Sequence, residues 1–301
     1  MRIATAQFQA TMTRGLQFNQ SALSSLTTRI ASGNKIDVPS DDPITAVRLS
    51  RLDREEALVG QYRSNIASIK IRLATNETYL QSMANDITQS HDLLVWASDA
   101  SNTPDDLKSM VSTLEALRDS LYYSANQKDQ EGRYVFSGTL TGTPAMKIDA
   151  TQPPGSRYSF SGNTNEQKSV IGNGITQTVN VDVKGLESLL NQMDATIAAL
   201  NEDPAAPVDK ATALKQNMDG AMATLDLIAG KIAAFGGAQN VMATLDSNHA
   251  NVSLSNQTAI LDLGSLDVAG AVTELNGYNT ALQASYKAYS KISSLSLFNV
   301  L

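Results

Sequence analysis

Residues 52–94 read LDREEALVGQYRSNIASIKIRLATNETYLQSMANDITQSHDLL, and within them Leu52, Val59, Ile66, Leu73, Leu80, Ile87 and Leu94 recur at every seventh position. Tyr62, Ile69, Met83 and Ala97 fill the position three residues later, with Glu55, Asn76 and Ser90 as polar lapses. A seven-residue apolar period marks a helix that packs along other helices through a narrow seam. At ~1.5 Å per residue the repeat extends roughly 64 Å, well beyond an ordinary globular helix. Between Leu52 and Leu94 there is no Pro, and Gly60 is the one Gly. The rest of the chain is expected to pack along this helix, cap it or extend it.

Upstream, Val38-Pro39-Ser40-Asp41-Asp42-Pro43 supplies a helix start. Asp42 is the expected N-cap, Pro43 the first helical residue, and Asp41 complements the helix dipole. Before it, residues 1–30 carry a weaker heptad of Leu16, Leu23 and Ile30 with Met12 and Leu26, broken at Ser32-Gly33-Asn34. A helix of that composition is marginal unless a partner covers its stripe. Downstream, Thr103-Pro104-Asp105-Asp106 repeats the starting chemistry, and Leu107, Met110, Leu114, Leu117 and Leu121 form a seam.

Between Gly132 and Asp182 the texture changes to short alternating runs, Tyr134–Phe136, Tyr158–Phe160, Ser169–Ile171 and Thr176–Val181, with a turn at Gly172-Asn173-Gly174. Helical pattern returns at Leu186, Leu189, Met193 and Leu200, and a second long helix is expected from about Val208 to Leu261. Its seam is Leu214, Ala221, Ile228, Phe235 and Met242; a register shift at Gly236-Gly237 is expected to pass the seam to Ala238, Leu245, Val252 and Ala259. The last segment carries Val268, Leu275, Leu282 and Tyr289, with Ala271, Tyr278 and Ile292 as companions. It closes on the apolar tail Leu295, Leu297, Phe298, Val300 and Leu301.

The pattern predicts a mainly α fold: a long antiparallel helical bundle or coiled coil with a small β-rich insert at one tip. Three domains follow, each helical one built from two segments. They are a terminal coiled coil of 1–38 and 265–301, a helical bundle of 39–131 and 183–264, and an insert of 132–182.

Composition narrows the function. The chain has 301 residues, 42% hydrophobic but 5% aromatic, as suits a thin Ala/Leu/Ile core. Its net charge of −7 argues against nucleic-acid or anionic-membrane partners. With no Cys and two His, a thiolate nucleophile, a disulfide framework or a Cys/His zinc site has no ligands to draw on. No signal-like run occurs in 1–14, and no segment is expected to span a bilayer. Ser32-Gly33-Asn34-Lys35 has Ser-x-x-Lys spacing but lies in a turn, Asp41-Asp42 reads as a cap, His249 falls on a seam position of the second long helix and reads as a packed or partly exposed imidazole, and His91 has no companion at metal-binding spacing. The Asn-x-Ser/Thr matches fall mostly in predicted helix. No catalytic, cofactor or metal constellation emerges. The two terminal stripes, by contrast, have no internal partner except each other, so assembly is expected to complete them.

Several stretches resemble the flagellin family, and within it the branch at the hook–filament junction. They are Met1–Thr5, the hinge from Ile30-Ala31-Ser32-Gly33 to Pro39-Ser40-Asp41-Asp42-Pro43, Glu131-Gly132-Arg133-Tyr134-Val135-Phe136-Ser137-Gly138, Gly237-Ala238-Gln239-Asn240, and Leu295-Ser296-Leu297-Phe298 to Leu301. The resemblance implies a flagellin-like fold, a structural role and no enzymatic activity. It implies export through the flagellar type III apparatus without a cleaved signal, and a ring of the chain's own copies between the first hook-associated protein and flagellin. An export chaperone is expected to hold the C-terminal segment. Within this picture Leu16, Leu23, Leu26, Ile30, Leu275, Leu282, Tyr289 and Ile292 form the assembly interface, and Leu295, Leu297, Phe298 and Leu301 serve docking or chaperone binding. A minor flagellin, or a secreted helical effector or adhesin, is the alternative.

Overall fold

The computed structural model describes residues 2–99 and 101–295. Its elements run α1 (Arg2–Ser32), α2 (Pro43–Ala97), α3 (Pro104–Ala125), β1 (Met146–Ile148), β2 (Tyr158–Phe160), β3 (Lys168–Gly172), β4 (Ile175–Thr178), α4 (Leu186–Leu200), α5 (Lys210–Gly264) and α6 (Val268–Leu295). The fold is mainly α with a small β insert. The described residues form two compact units, one drawn from the chain up to Gly60 and from Asn251 onward, the other Gln61–Ala250.

Helix starts follow the local chemistry. Asp42 accepts from the Thr45 amide at 3.1 Å and from its hydroxyl at 2.6 Å, directly before Pro43. Thr103 and Asp106 cap each other reciprocally at the head of α3. At α5, Asp209 accepts from the Thr212 amide and hydroxyl, each at 3.0 Å. Replacing Thr103 by Ala should cost about 1 kcal/mol, read as a shifted urea midpoint. These bonds hold the carboxyls of Asp42, Asp106 and Asp209 below the 3.8 of a free aspartate, chiefly through the Thr45 hydroxyl, the Thr103 hydroxyl and the Thr212 amide respectively. A depressed folded-state value means their stabilisation is complete above the unfolded value and is lost as pH falls through the folded one. Acid titration followed by far-ultraviolet circular dichroism should therefore lose stability below that range, and the double change Asp42→Asn and Asp209→Asn should flatten the acid limb.

In the unit Gln61–Ala250 the α2 heptad is the centre of the core: Leu73, Leu80 and Ile87 are fully buried, as are Leu114 and Leu121 of α3 and Leu186, Leu189 and Leu190 of α4. Two of the polar lapses sit on the seam all the same, for Asn76 and Ser90 are buried, whereas Glu55 is exposed. Arg63 Nε meets Asp246 Oδ1 at 3.1 Å and Gln239 Nε2 meets Glu77 Oε2 at 2.8 Å, so α2 and α5 run antiparallel in this unit.

The expected register shift in α5 does not occur. The heptad Leu214, Ala221, Ile228, Phe235, Met242 continues through Gly236-Gly237 to His249 and Asn256, with Met242 and Asn256 buried and Val252 exposed. The reason is chemical: His249 takes the Ile171 carbonyl as partner through Nε2 at 2.9 Å and stacks near Tyr62, so a polar side chain holds a position that hydrophobicity assigns elsewhere. The expectation that no segment could span a bilayer is also corrected. By length and composition α5 qualifies, with a mean hydropathy of 1.3 over its most apolar stretch. The buried seam from Leu214 to Met242 uses part of that apolarity within the bundle.

The insert consists of two antiparallel hairpins, β1 with β2 and β3 with β4. Tyr134–Phe136 is not a strand. Tyr134 forms one isolated bridge to Lys128, while Val135 and Phe136 are both buried, the Phe136 ring edge-on to Tyr79, so the aromatic and β-branched run there is a plug into the core. Met146–Ile148, too short to carry a period, pairs with Tyr158–Phe160. At β4 the ladder stops at Thr178 because Asn180 turns its side chain to the Gln167 amide and the Asn165 carbonyl. Gly174, with φ of +70°, makes the β3–β4 turn.

Candidate assembly surface

In the other unit α1 lies against α6. The two run antiparallel, because the Lys35 amide donates to the Gly264 carbonyl at 2.8 Å and the Leu266 amide to the Gly33 carbonyl at 2.9 Å, joining the end of α1 to the beginning of α6. Gly33 permits the turn with φ of +73°, a left-handed conformation that side chains disfavour. The adjacent carboxylates divide the work: Asp42 caps α2, while Asp41 closes the hinge. It pairs with Arg29 Nη2 at 2.9 Å and accepts from the Asp37 and Val38 amides. Arg29, basic and in the last turn of α1, also complements that helix's negative end. Along α2 and α5 of this unit, Glu56 Oε1 accepts from Ser253 Oγ and Gln257 Nε2.

The terminal stripes lie on this pair. Leu26 and Leu282 are buried, each 8% exposed, and Ala271, in the first turn of α6, is 5% exposed. Leu16, Leu23, Ile30 and Leu275 are half-buried and Tyr289 is exposed. Ile292 and Leu295 fall within α6, whose side chains beyond Lys291 lie outside the description; Leu297, Phe298 and Leu301 lie outside the described residues altogether. Two packed helices can cover only the facing strip of each other. Large apolar side chains off that strip are left open: Phe18 is 67% exposed, Tyr286 54% and Val272 41%. The heptad reading passed over these three. They could have been found by asking which bulky apolar residues fall outside the seam. The contrast with the second unit is sharp, since the largest fully buried side chains, from Ile66 to Leu186, all belong there. Among the described residues, no group of three His, Asp or Glu side chains is placed to hold a metal ion.

Paired terminal helices, long heptad helices and a small β insert define the flagellin-like class of axial proteins. The bacterial flagellin N-terminal helical region matches residues 3–141. Flagellar hook-associated protein 3 of Escherichia coli (strain K12) is 28% identical over 315 residues, covering 100% of this chain and 99% of that protein. Its namesake from Salmonella typhimurium is 26% identical over 325 residues, with the same coverage. A solved structure from Vibrio parahaemolyticus, described as a flagellar hook-associated protein, is 30% identical, with a TM-score of 0.67 over 75% of this chain and 100% of that one. The chain belongs to the flagellar hook-associated protein 3 family and is a structural component of the flagellum.

Proposed function

We propose that this chain forms the junction between hook and filament, and that it does so by packing its terminal helices against neighbouring subunits. The supporting observation is the α1–α6 pair, which buries Leu26 and Leu282 while leaving Phe18, Val272 and Tyr286 open to solvent. Burying each such side chain contributes roughly 1.5–3 kcal/mol, so a few per subunit suffice to drive association. In this reading Leu16, Leu23, Leu26, Ile30, Leu275, Leu282, Tyr289 and Ile292 order the terminal domain of 1–38 and 265–301 as it enters the assembly. The bundle of 39–131 and 183–264, which carries the insert of 132–182, contributes to the tube of the axial structure. The partners are copies of the chain in a ring, the first hook-associated protein on one side and flagellin on the other. Leu295, Leu297, Phe298 and Leu301 serve docking or an export chaperone, and export proceeds through the flagellar type III apparatus without signal cleavage.

The test is a double variant, Phe18→Glu with Tyr286→Glu. Both positions are exposed in the monomer, so its melting curve should not move, while cells should shed unpolymerised flagellin and retain bare hooks. Normal filament attachment in that strain would refute the interface. Purified chain growing alone into long filaments would instead identify a minor flagellin.

A further inference from the structure

A cleft of about 490 Å³ opens in the second unit between one face of α2 and the loop that follows α3. Arg72, Asn76 and Tyr79 line it from the helix, and Lys128, Arg133 and Val135 from the loop. Its acidic residues are already engaged: Arg133 pairs with Asp129 at 2.9 Å and with Glu131. Three donors are not matched by an anion. Arg72, half-buried, reaches only the neutral Gln167 Oε1 at 3.0 Å and makes no ion pair among the described residues. Lys128 Nζ sits 4.7 Å above the Tyr134 ring and likewise has no carboxylate. Asn76, 2% exposed, has its Nδ2 buried without a hydrogen-bond partner among the described residues.

A half-buried guanidinium with an amide acceptor alone is costly, as is a buried N–H left unmade. Burial, and next the charge of Arg133, push the Arg72 pKa down, and the carboxylates of Asp129 and Glu131, both paired with Arg133, offset this only in part. The surrounding chain carries a net charge of −7, so a locally cationic cleft is not an extension of a general basic surface. We propose that this cleft is a carboxylate-binding site, in which Arg72 offers its planar fork, Lys128 a second positive charge and Asn76 a neutral donor. Arg and carboxylate match in geometry and dispense with the unpaired donors together. The carboxylate comes either from a free organic acid or from an aspartate or glutamate side chain of another polypeptide. The site is independent of the terminal helices, so its success or failure does not bear on the junction reading.

Calorimetric titration of the purified full chain with glutarate and with a hexaglutamate peptide, at constant ionic strength, tests it. Saturable binding is expected, weakened roughly tenfold by Arg72→Gln, the loss expected for a charge-assisted hydrogen bond. Lys128→Gln should weaken it less, and Arg72→Lys should fall between wild type and Arg72→Gln. Tighter binding of the peptide than of glutarate identifies a polypeptide source; equal or tighter binding of glutarate identifies a free acid. Absence of saturable heat with both, unchanged affinity in Arg72→Gln with an unchanged melting curve, or response to inorganic phosphate alone would each overturn the assignment.

Discussion

Replacing Asp194 by Ala is expected to destabilise the unit Gln61–Ala250 by about 3 kcal/mol, read as a lower urea midpoint with an unchanged slope. Asp194 lies on α4 with its side chain 4% exposed, and it is one of the points where the insert meets the helices. Its Oδ1 takes Arg118 of α3 at 3.2 Å and Arg157, just before β2, at 3.4 Å, while Oδ2 accepts the Gly155 amide at 3.1 Å. Truncation leaves Arg118, whose side chain is 16% exposed, with Asp119 as its remaining carboxylate partner. Arg157 is better exposed and loses less. Removing one partner of a buried charge cluster costs more than the cluster contributes, because the remaining charges stay desolvated. Asp194→Asn, which keeps one acceptor, should recover part of the loss. A midpoint shift in Asp194→Ala no larger than that of a surface variant would show the network to be dispensable.

The second large effect is expected at Gly138. Its φ is +68°, and a Cβ there would overlap the backbone carbonyl of Asn163, an atom that cannot swing aside like the end of a flexible side chain. Gly138→Ala should cost roughly 3 kcal/mol, from about 1–3 for the conformation and a similar amount for the overlap. The damage should be local at first, because Asn163 Oδ1 also accepts from the Thr139 amide at 2.9 Å and the Gln167 amide group reaches the Gly138 carbonyl at 2.7 Å. Hydrogen exchange should therefore accelerate at Thr139 and across β3–β4 before it does so in α2. Unaltered exchange at those amides would sink the prediction. Gly132, whose φ is also positive but whose Cβ would meet open space, is the matched control with a smaller loss.

Much of this fold is legible in the residues because helices announce themselves locally. The repeat from Leu52 to Leu94 states which face of α2 is buried, and Leu73, Leu80 and Ile87 are fully enclosed as the spacing requires. Caps are equally local, since Asp42, Thr103 and Asp209 bond to amides three residues ahead. Short strands carry no such signal. Three residues, Met146–Ile148, are too few to show a period, and a core plug such as Val135-Phe136 is as β-prone in its residue types as a strand would be.

The apolar spacing, the hinge chemistry and the absence of Cys by themselves determined a mainly helical protein without thiols, with an apolar stripe on each terminal segment. Only the tertiary structure decided which polar residues enter the seams and how the insert is anchored. Asn191 of α4 holds both backbone groups of Tyr158, accepting its amide and donating to its carbonyl at 2.8 Å each, as a neighbouring strand would. Nothing around Asn191 in the chain foretells this, because a hydrogen bond between residues 33 positions apart depends on where packing brings them, while periodicity and capping depend on neighbours a turn away.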